Sequence, residues 1–308
     1  MLPSQSARAA LVVAHPSHEL RVHGWLQQTQ PYVCILTDGS GRSGDVRLQE
    51  TSHVLDRAGA TQGSIYGRLT DLEVYAAILN HDVDLFAGIA RELARIFAAE
   101  KIEYVVGDAA EGYNVAHDIC RIMIGIAVEL VQQVHGQKIK NFDFNVVGAP
   151  DECPEHLRDQ AIWWNLDDDA FAHKLKAALD YTPKLAADVE AALSGSPFQG
   201  IRRLSEPKQA SEVDAEMSAV LAELETRPAL KARLRHIIEG VPLDAFRIEC
   251  LRPVGNRSSA DWTSNEPLFY ELYGEKLVAA GRYQKVIRYR EHMLPLVEAM
   301  RKKLEVER

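Results

Sequence analysis

Short apolar runs alternate along this chain with longer amphipathic stretches, and few folds accept that rhythm. The runs at 9–14, 32–36, 104–108 and 142–147 read as buried strands, with a shorter one at 64–67. Between and after them, 18–29, 46–58, 84–99, 117–135 and 169–180 carry apolar residues at helical spacing. Leu85, Phe86, Ile89, Leu93, Ile96 and Phe97 mark the clearest helix, with Asp82 or Asp84 to cap it. Gly136 is a stop signal for the helix that opens at His117. Strands alternating with amphipathic helices predict an α/β layered fold with a mostly parallel sheet. The texture changes after about residue 182. Ser194-Gly195-Ser196-Pro197 reads as a linker, 211–239 and 284–305 as helices, and 246–251 as a strand. The expected division is a core domain over 1–190 and a mainly helical extension over 191–308, packed on the core.

The first run stops abruptly at His15-Pro16-Ser17-His18-Glu19, because Pro16 cannot continue a strand ladder. Two histidines three apart therefore sit at a strand's carboxyl end, where open α/β sheets place their ligands. His117 follows a different strand, at a helix start. In a parallel sheet both loops leave the same edge, so the three imidazoles could converge. Zinc catalysis commonly uses three protein ligands and leaves a fourth position open. The spacing fits capping and loop hydrogen bonds as well.

Composition excludes several alternatives. A net charge of −9 does not favour a nucleic-acid surface. No run approaches the roughly 18 apolar residues of a membrane span, and the apolar stretch before His15 is short for a signal peptide. The cysteines (Cys34, Cys120, Cys153 and Cys250) are scattered without a Cys-x-x-Cys, which suits a reducing cytoplasm. A homo-oligomer stays open. Gly39-Ser40-Gly41 lacks the spacing of a nucleotide-binding loop.

Several of these motifs, in this order, resemble the LmbE/PIG-L family of zinc-dependent N-deacetylases over roughly residues 1–182. The family's opening strand and Ala-His-Pro-Asp-Asp-Glu correspond to Ala14-His15-Pro16-Ser17-His18-Glu19. Its Thr-Asp-Gly and Arg-x-x-Glu correspond to Thr37-Asp38-Gly39 and Arg47-Leu48-Gln49-Glu50. Its Pro-Asp loop is similar to Leu69-Thr70-Asp71, its last-ligand stretch to Asn114-Val115-Ala116-His117, and its Lys-containing helix to the one near Lys174. The resemblance implies a Rossmann-like three-layer α/β/α sandwich. It also implies Zn2+ or another divalent metal held by His15, His18 and His117, with a metal-bound water attacking the amide of a small N-acylated, amino-sugar-like substrate.

The departures from the pattern are chemical. His18 stands where the family has an aspartate ligand, an exchange that zinc accepts. Three neutral ligands leave a more electropositive metal. Ser17 replaces the general base, and a hydroxyl has no useful basicity near neutral pH. Asn114 and Ala116 replace two further proton-handling groups. Glu111 and Asp118 are the first candidates to replace the base, with Glu19 and Asp108 also nearby; a carboxylate at a helix start can equally be a cap. Three readings stay open: a metal hydrolase with a rearranged base, a relative that has changed reaction, and a non-catalytic binder of metal or a sugar-like ligand.

Arg47 is the candidate to orient a substrate anion, because a guanidinium fork matches carboxylate or phosphate; it could instead pair with Glu50. Asp71 could accept hydrogen bonds from substrate hydroxyls or cap its loop. Asp38 could serve chemistry or loop structure, and Arg42 is a weaker anion-binding candidate. The aromatic and charged stretch at 265–292 reads first as a wall over the core, with the pocket rim as its second use. His292 reads as a partly buried helix histidine.

Overall fold

The computed structural model describes residues 7–41, 44, 46–183, 241–255 and 266–306. The expected linker, the helix at 211–239 and Arg42 lie outside the described residues. The architecture is α/β. Seven strands form one sheet in the order β3-β2-β1-β4-β5-β7-β6. They are β1 (Ala9–Val13), β2 (Tyr32–Thr37), β3 (Thr61–Leu69), β4 (Tyr104–Asp108), β5 (Lys140–Phe144), β6 (Ile162–Asn165) and β7 (Ile248–Pro253). The first five pair in parallel, and β7 is antiparallel to both β5 and β6. The strand expected at 246–251 thus stands inside the sheet, between β5 and β6.

The eight helices described below are α1 (His23–Thr29), α2 (Leu48–Ala58), α3 (Asp71–Leu79), α4 (Val83–Ala99), α5 (Val115–His135), α6 (Asp168–Leu179), α7 (Phe269–Ala279) and α8 (Leu294–Val306). A 3₁₀ turn (His18–Val22) precedes α1, and a π turn (Tyr289–Met293) precedes α8. β1 explains why both sheet faces must be covered. All five of its residues are buried. Ala10 and Val12 pack with α4 and α5, while Ala9, Leu11 and Val13 pack with α1 and α2. A strand apolar on both faces needs a layer on each side. Among the described residues no helix is long and apolar enough to cross a membrane.

Two elements escape the sequence reading. The segment 69–71 is not a loop: Leu69 ends β3, Thr70 forms a capping box with Glu73, and Asp71 opens α3. β6 has only four residues, too few to show a period. The strand expected at 142–147 ends at Phe144, and the next residues turn into a loop.

One buried ion pair ties the later part of the chain to the first loop. Glu249 on β7 accepts the amides of Gly24 (2.9 Å) and Trp25 (2.8 Å) at the start of α1. A carboxylate there suits the helix dipole. Lys174 on α6 lies 2.8 Å from Glu249 and donates to the Arg21 carbonyl at 2.8 Å. Glu249→Ala leaves the lysine buried without its counter-charge and is expected to cost about 3–5 kcal/mol in urea unfolding. Lys174→Met with Glu249→Leu should lose less, since no lone charge remains. A single variant within 1 kcal/mol of wild type would show that the pair bears no weight.

Candidate functional site

The carboxyl ends of β1, β2 and β4 and the starts of α3 and α5 meet at one sheet edge. The register aligns Val13 with Ile35 and Val12 with Gly107, so the loops after these strands leave side by side. His15, His18 and His117 converge there. Their ring centres lie 5.2 Å (His15–His18), 5.0 Å (His15–His117) and 4.7 Å (His18–His117) apart. All three are buried.

Carboxylates hold two of the rings from behind. His18 Nδ1 lies 2.9 Å from Asp108 Oδ2, which also accepts the Ala14 amide at 2.8 Å. His15 Nδ1 faces Thr37 Oγ1 at 2.8 Å and Asp71 Oδ1 at 2.9 Å. Protons placed on these Nδ1 atoms leave Nε2 as the lone-pair nitrogen of each ring. The third ring has no such support: neither nitrogen of His117 has a hydrogen-bond partner, and the residue is 1% exposed. Burial and the neighbouring histidines push the pKa of both His18 and His117 well below the usual imidazole value. Both rings are therefore neutral at pH 7, the form that binds metal.

Among the described residues no group of three or more His, Cys, Asp or Glu side chains stands arranged to hold a metal ion. The ring spacing and the orphaned His117 nitrogens nevertheless fit one. Imidazoles sharing a tetrahedral zinc, with Zn–N of about 2.0–2.1 Å, have ring centres about 5 Å apart.

The other candidates divide by role. Asp71 does not lie in a loop; it opens α3, lines the cavity, faces His15 and accepts the Gly41 amide. Burial raises its pKa, but His15 and the hydrogen bonds outweigh burial and hold the carboxyl below its usual range. Arg47 lines the cavity beside His15 and donates to the Gly39 carbonyl at 3.1 Å. Asp38 accepts the Ser40 amide at 2.9 Å and shapes its loop. Asp118 accepts the Gly112 amide at 3.2 Å from the first turn of α5, as a cap would. Glu111 takes the amides of Val146 (2.9 Å), Val147 (3.0 Å) and Gly148 (2.8 Å), which clamps the loop after β5. In this geometry Glu111 and Asp118 serve backbone amides rather than a reacting centre. Ser17 is buried at a left-handed φ of 85°, its hydroxyl unpartnered.

A cavity of about 500 Å³ opens beside His15. His15, Arg47, Asp71 and Asn114 line it on the core side, and Tyr113, Phe269 and Tyr273 form an aromatic wall. Tyr113 stacks on Phe269 at 4.7 Å, and Phe269 on Tyr273 at 5.9 Å. The stretch at 265–292 is thus cavity lining as well as wall. His292 accepts the Arg288 amide through Nδ1 at 3.0 Å, a local helix-start contact. Sequence reading missed Tyr75 and Leu72, which line the cavity from the unforeseen α3. It also missed Thr37 as the partner of His15, although the Thr37-Asp38-Gly39 match was the available signal.

No protein-family model matches the chain, and no curated protein matches it. Solved structures of three deacetylases are similar at low identity. One is a triple mutant from the teicoplanin biosynthetic pathway, at 14% identity over 65% of this chain and 93% of that chain, TM-score 0.41. Another is the A40926 pseudoaglycone deacetylase, at 16% identity over 83% and 99%, TM-score 0.41. The third, from teicoplanin biosynthesis, has 14% identity over 79% and 97%, TM-score 0.39. Likeness this loose carries no argument about the site, which rests on its own geometry.

Two measurements follow from these roles. Glu111→Ala removes a charged acceptor from three amides and is expected to cost about 2–4 kcal/mol in urea unfolding; unchanged stability would remove the clamp. Glu19, whose Oε1 accepts from Thr51 at 2.9 Å, is pushed by burial from 4.5 up to about 7. A carboxyl with a raised folded pKa contributes fully below its unfolded pKa, and that contribution is lost as pH rises toward the folded one. In chelator-treated protein, wild type should therefore lose about 3 kcal/mol relative to Glu19→Gln as pH rises from about 4.5 to 7. Parallel stability profiles would contradict this.

Proposed function

We propose that the chain is a divalent-metal-dependent amide hydrolase of the LmbE/PIG-L type, on a Rossmann-like sandwich, with zinc as the expected metal. One observation carries the reading: three buried imidazoles stand about 5 Å apart, one with both nitrogens unpartnered and one, His15, lining a ligand-sized cavity. His15, His18 and His117 would hold the metal. When bound, it supplies an activated water and a Lewis acid for the amide carbonyl.

The chain's own residues do the rest. Asp108 fixes His18 and Thr37 fixes His15 through Nδ1, with Asp71 2.9 Å from His15, the support that ligand histidines usually have. The Asn114 amide, 3.5 Å from His15 Nε2, points a donor toward the reacting side. Arg47 can orient an anionic part of the substrate. The expected compartment is the cytoplasm and the expected substrate a small N-acylated molecule, with the amino sugar as the starting hypothesis. A second reading, a metal or ligand binder without turnover, is favoured by Ser17 at the base position and by Glu111 and Asp118 being engaged with backbone amides.

Protein purified without an affinity His-tag and analysed by elemental mass spectrometry tests the metal. Wild type is expected to carry about one zinc per chain, and His117→Ala none, with circular dichroism unchanged. Asp108→Asn should weaken zinc binding about 10–100-fold. Full metal content in His117→Ala would sink the three-histidine assignment. Metal without acetate release from N-acetyl sugars or other N-acyl compounds would move the balance to the binder.

A further inference from the structure

The chain carries a net charge of −9, yet its cavity has the opposite sign. Among the described lining residues, Arg47, Arg282 and Lys285 are cationic and Asp71 is the sole carboxylate. That carboxylate faces His15 and the Gly41 amide. Arg282 and Lys285 are exposed and sit at the mouth. A cleft of one sign with low-dielectric walls focuses its field and concentrates ligands of the other sign.

The walls are aromatic and aliphatic. Tyr113, Phe269 and Tyr273 present a continuous stacked surface, with Leu277 and Ile287 beside it. Tyr270 adds a separate observation. It lines the cavity and is 7% exposed, and its hydroxyl has no hydrogen-bond partner. Burial, with Asp118 and Glu271 nearby, pushes its ionisation far up, so the phenol stays protonated. That hydroxyl oxygen is itself buried, so what Tyr270 offers the cavity is ring carbon rather than a donor.

We propose that this cavity takes an anionic amphiphile: an N-acylated molecule with a flat apolar body along the aromatic wall and a carboxylate or phosphate at Arg282 and Lys285. The proposal rests on the hydrolase reading for where the acyl group lies. The binding preference does not depend on it. A neutral sugar would bring no charge for the three cations to meet.

The test uses three probes on the full chain: N-acetylphenylalanine, its neutral primary amide and N-acetylglucosamine. Binding is read by calorimetry on zinc-free and zinc-loaded protein, with turnover followed separately. The acid is expected to bind about ten-fold tighter than the amide, with a preference that shrinks as salt rises. Both aromatic probes should bind more tightly than the sugar. Arg282→Gln with Lys285→Gln should cut the acid-to-amide ratio to about three or less. Tyr273→Ala should weaken both aromatic probes alike. Equal affinity for acid and amide, tightest binding of the sugar, or no measurable binding of the acid would overturn the proposal. Zinc content in the histidine variants is a separate readout, so failure here leaves the metal reading intact and failure there leaves this one intact.

Discussion

A single carboxylate oxygen sets the geometry of the site. Asp108 Oδ2, at the end of β4, accepts the Ala14 amide at the end of β1 and also holds His18. The Ala14 carbonyl still accepts the Thr37 amide of β2 at 2.9 Å, but beyond it Pro16 ends the ladder. The carboxylate takes over where the ladder stops. It fixes the turn that carries His15 and His18 and orients one of the rings. Buried charge is costly when unpaired, so this arrangement holds only while its donors stay in place.

Much of this was legible in sequence because the relevant signals are local. β1, β2 and β4 are uninterrupted apolar runs, and α4 and α5 repeat apolar residues at helical spacing. Parallel pairing then requires the loops that follow to share an edge, which brings His15, His18 and His117 together without knowledge of any contact. What stayed hidden depends on contacts distant in sequence. Asp71 and Asp108 look alike as loop carboxylates until their partners are seen, and both stand behind histidines. Glu111 looks like a free acid until the amides of 146–148 fold onto it. α3 was hidden because its start was read as a loop motif, and its exposed Leu72 blurs the buried stripe.

The site divides into a rigid floor and a borrowed wall. The floor is built on strand ends, where small displacements break ladder bonds. Apart from Tyr113, the wall comes from 266–306, which is tied to the core by the Tyr270 amide on the Gly112 carbonyl at 3.4 Å and by the Arg301–Glu129 and Lys303–Asp84 ion pairs. Glu271 secures it internally, accepting the Leu268 and Tyr289 amides. Ring orientation thus belongs to the first half of the chain, and ligand shape to its end. Changes in the wall can alter what enters without disturbing the histidines.

Glu249 gives this division an order in time. Ribosomes deliver the amino end first, so the loop bearing His15 and His18 emerges long before β7. Until residue 249 appears, the first amides of α1 lack their acceptor and Lys174 lacks its counter-charge. The nascent amino-terminal part therefore carries an α1 whose start is completed only when a strand from far downstream inserts into the sheet. Any product of early termination before β7 would carry every histidine of the triad and still lack the carboxylate that meets the start of α1.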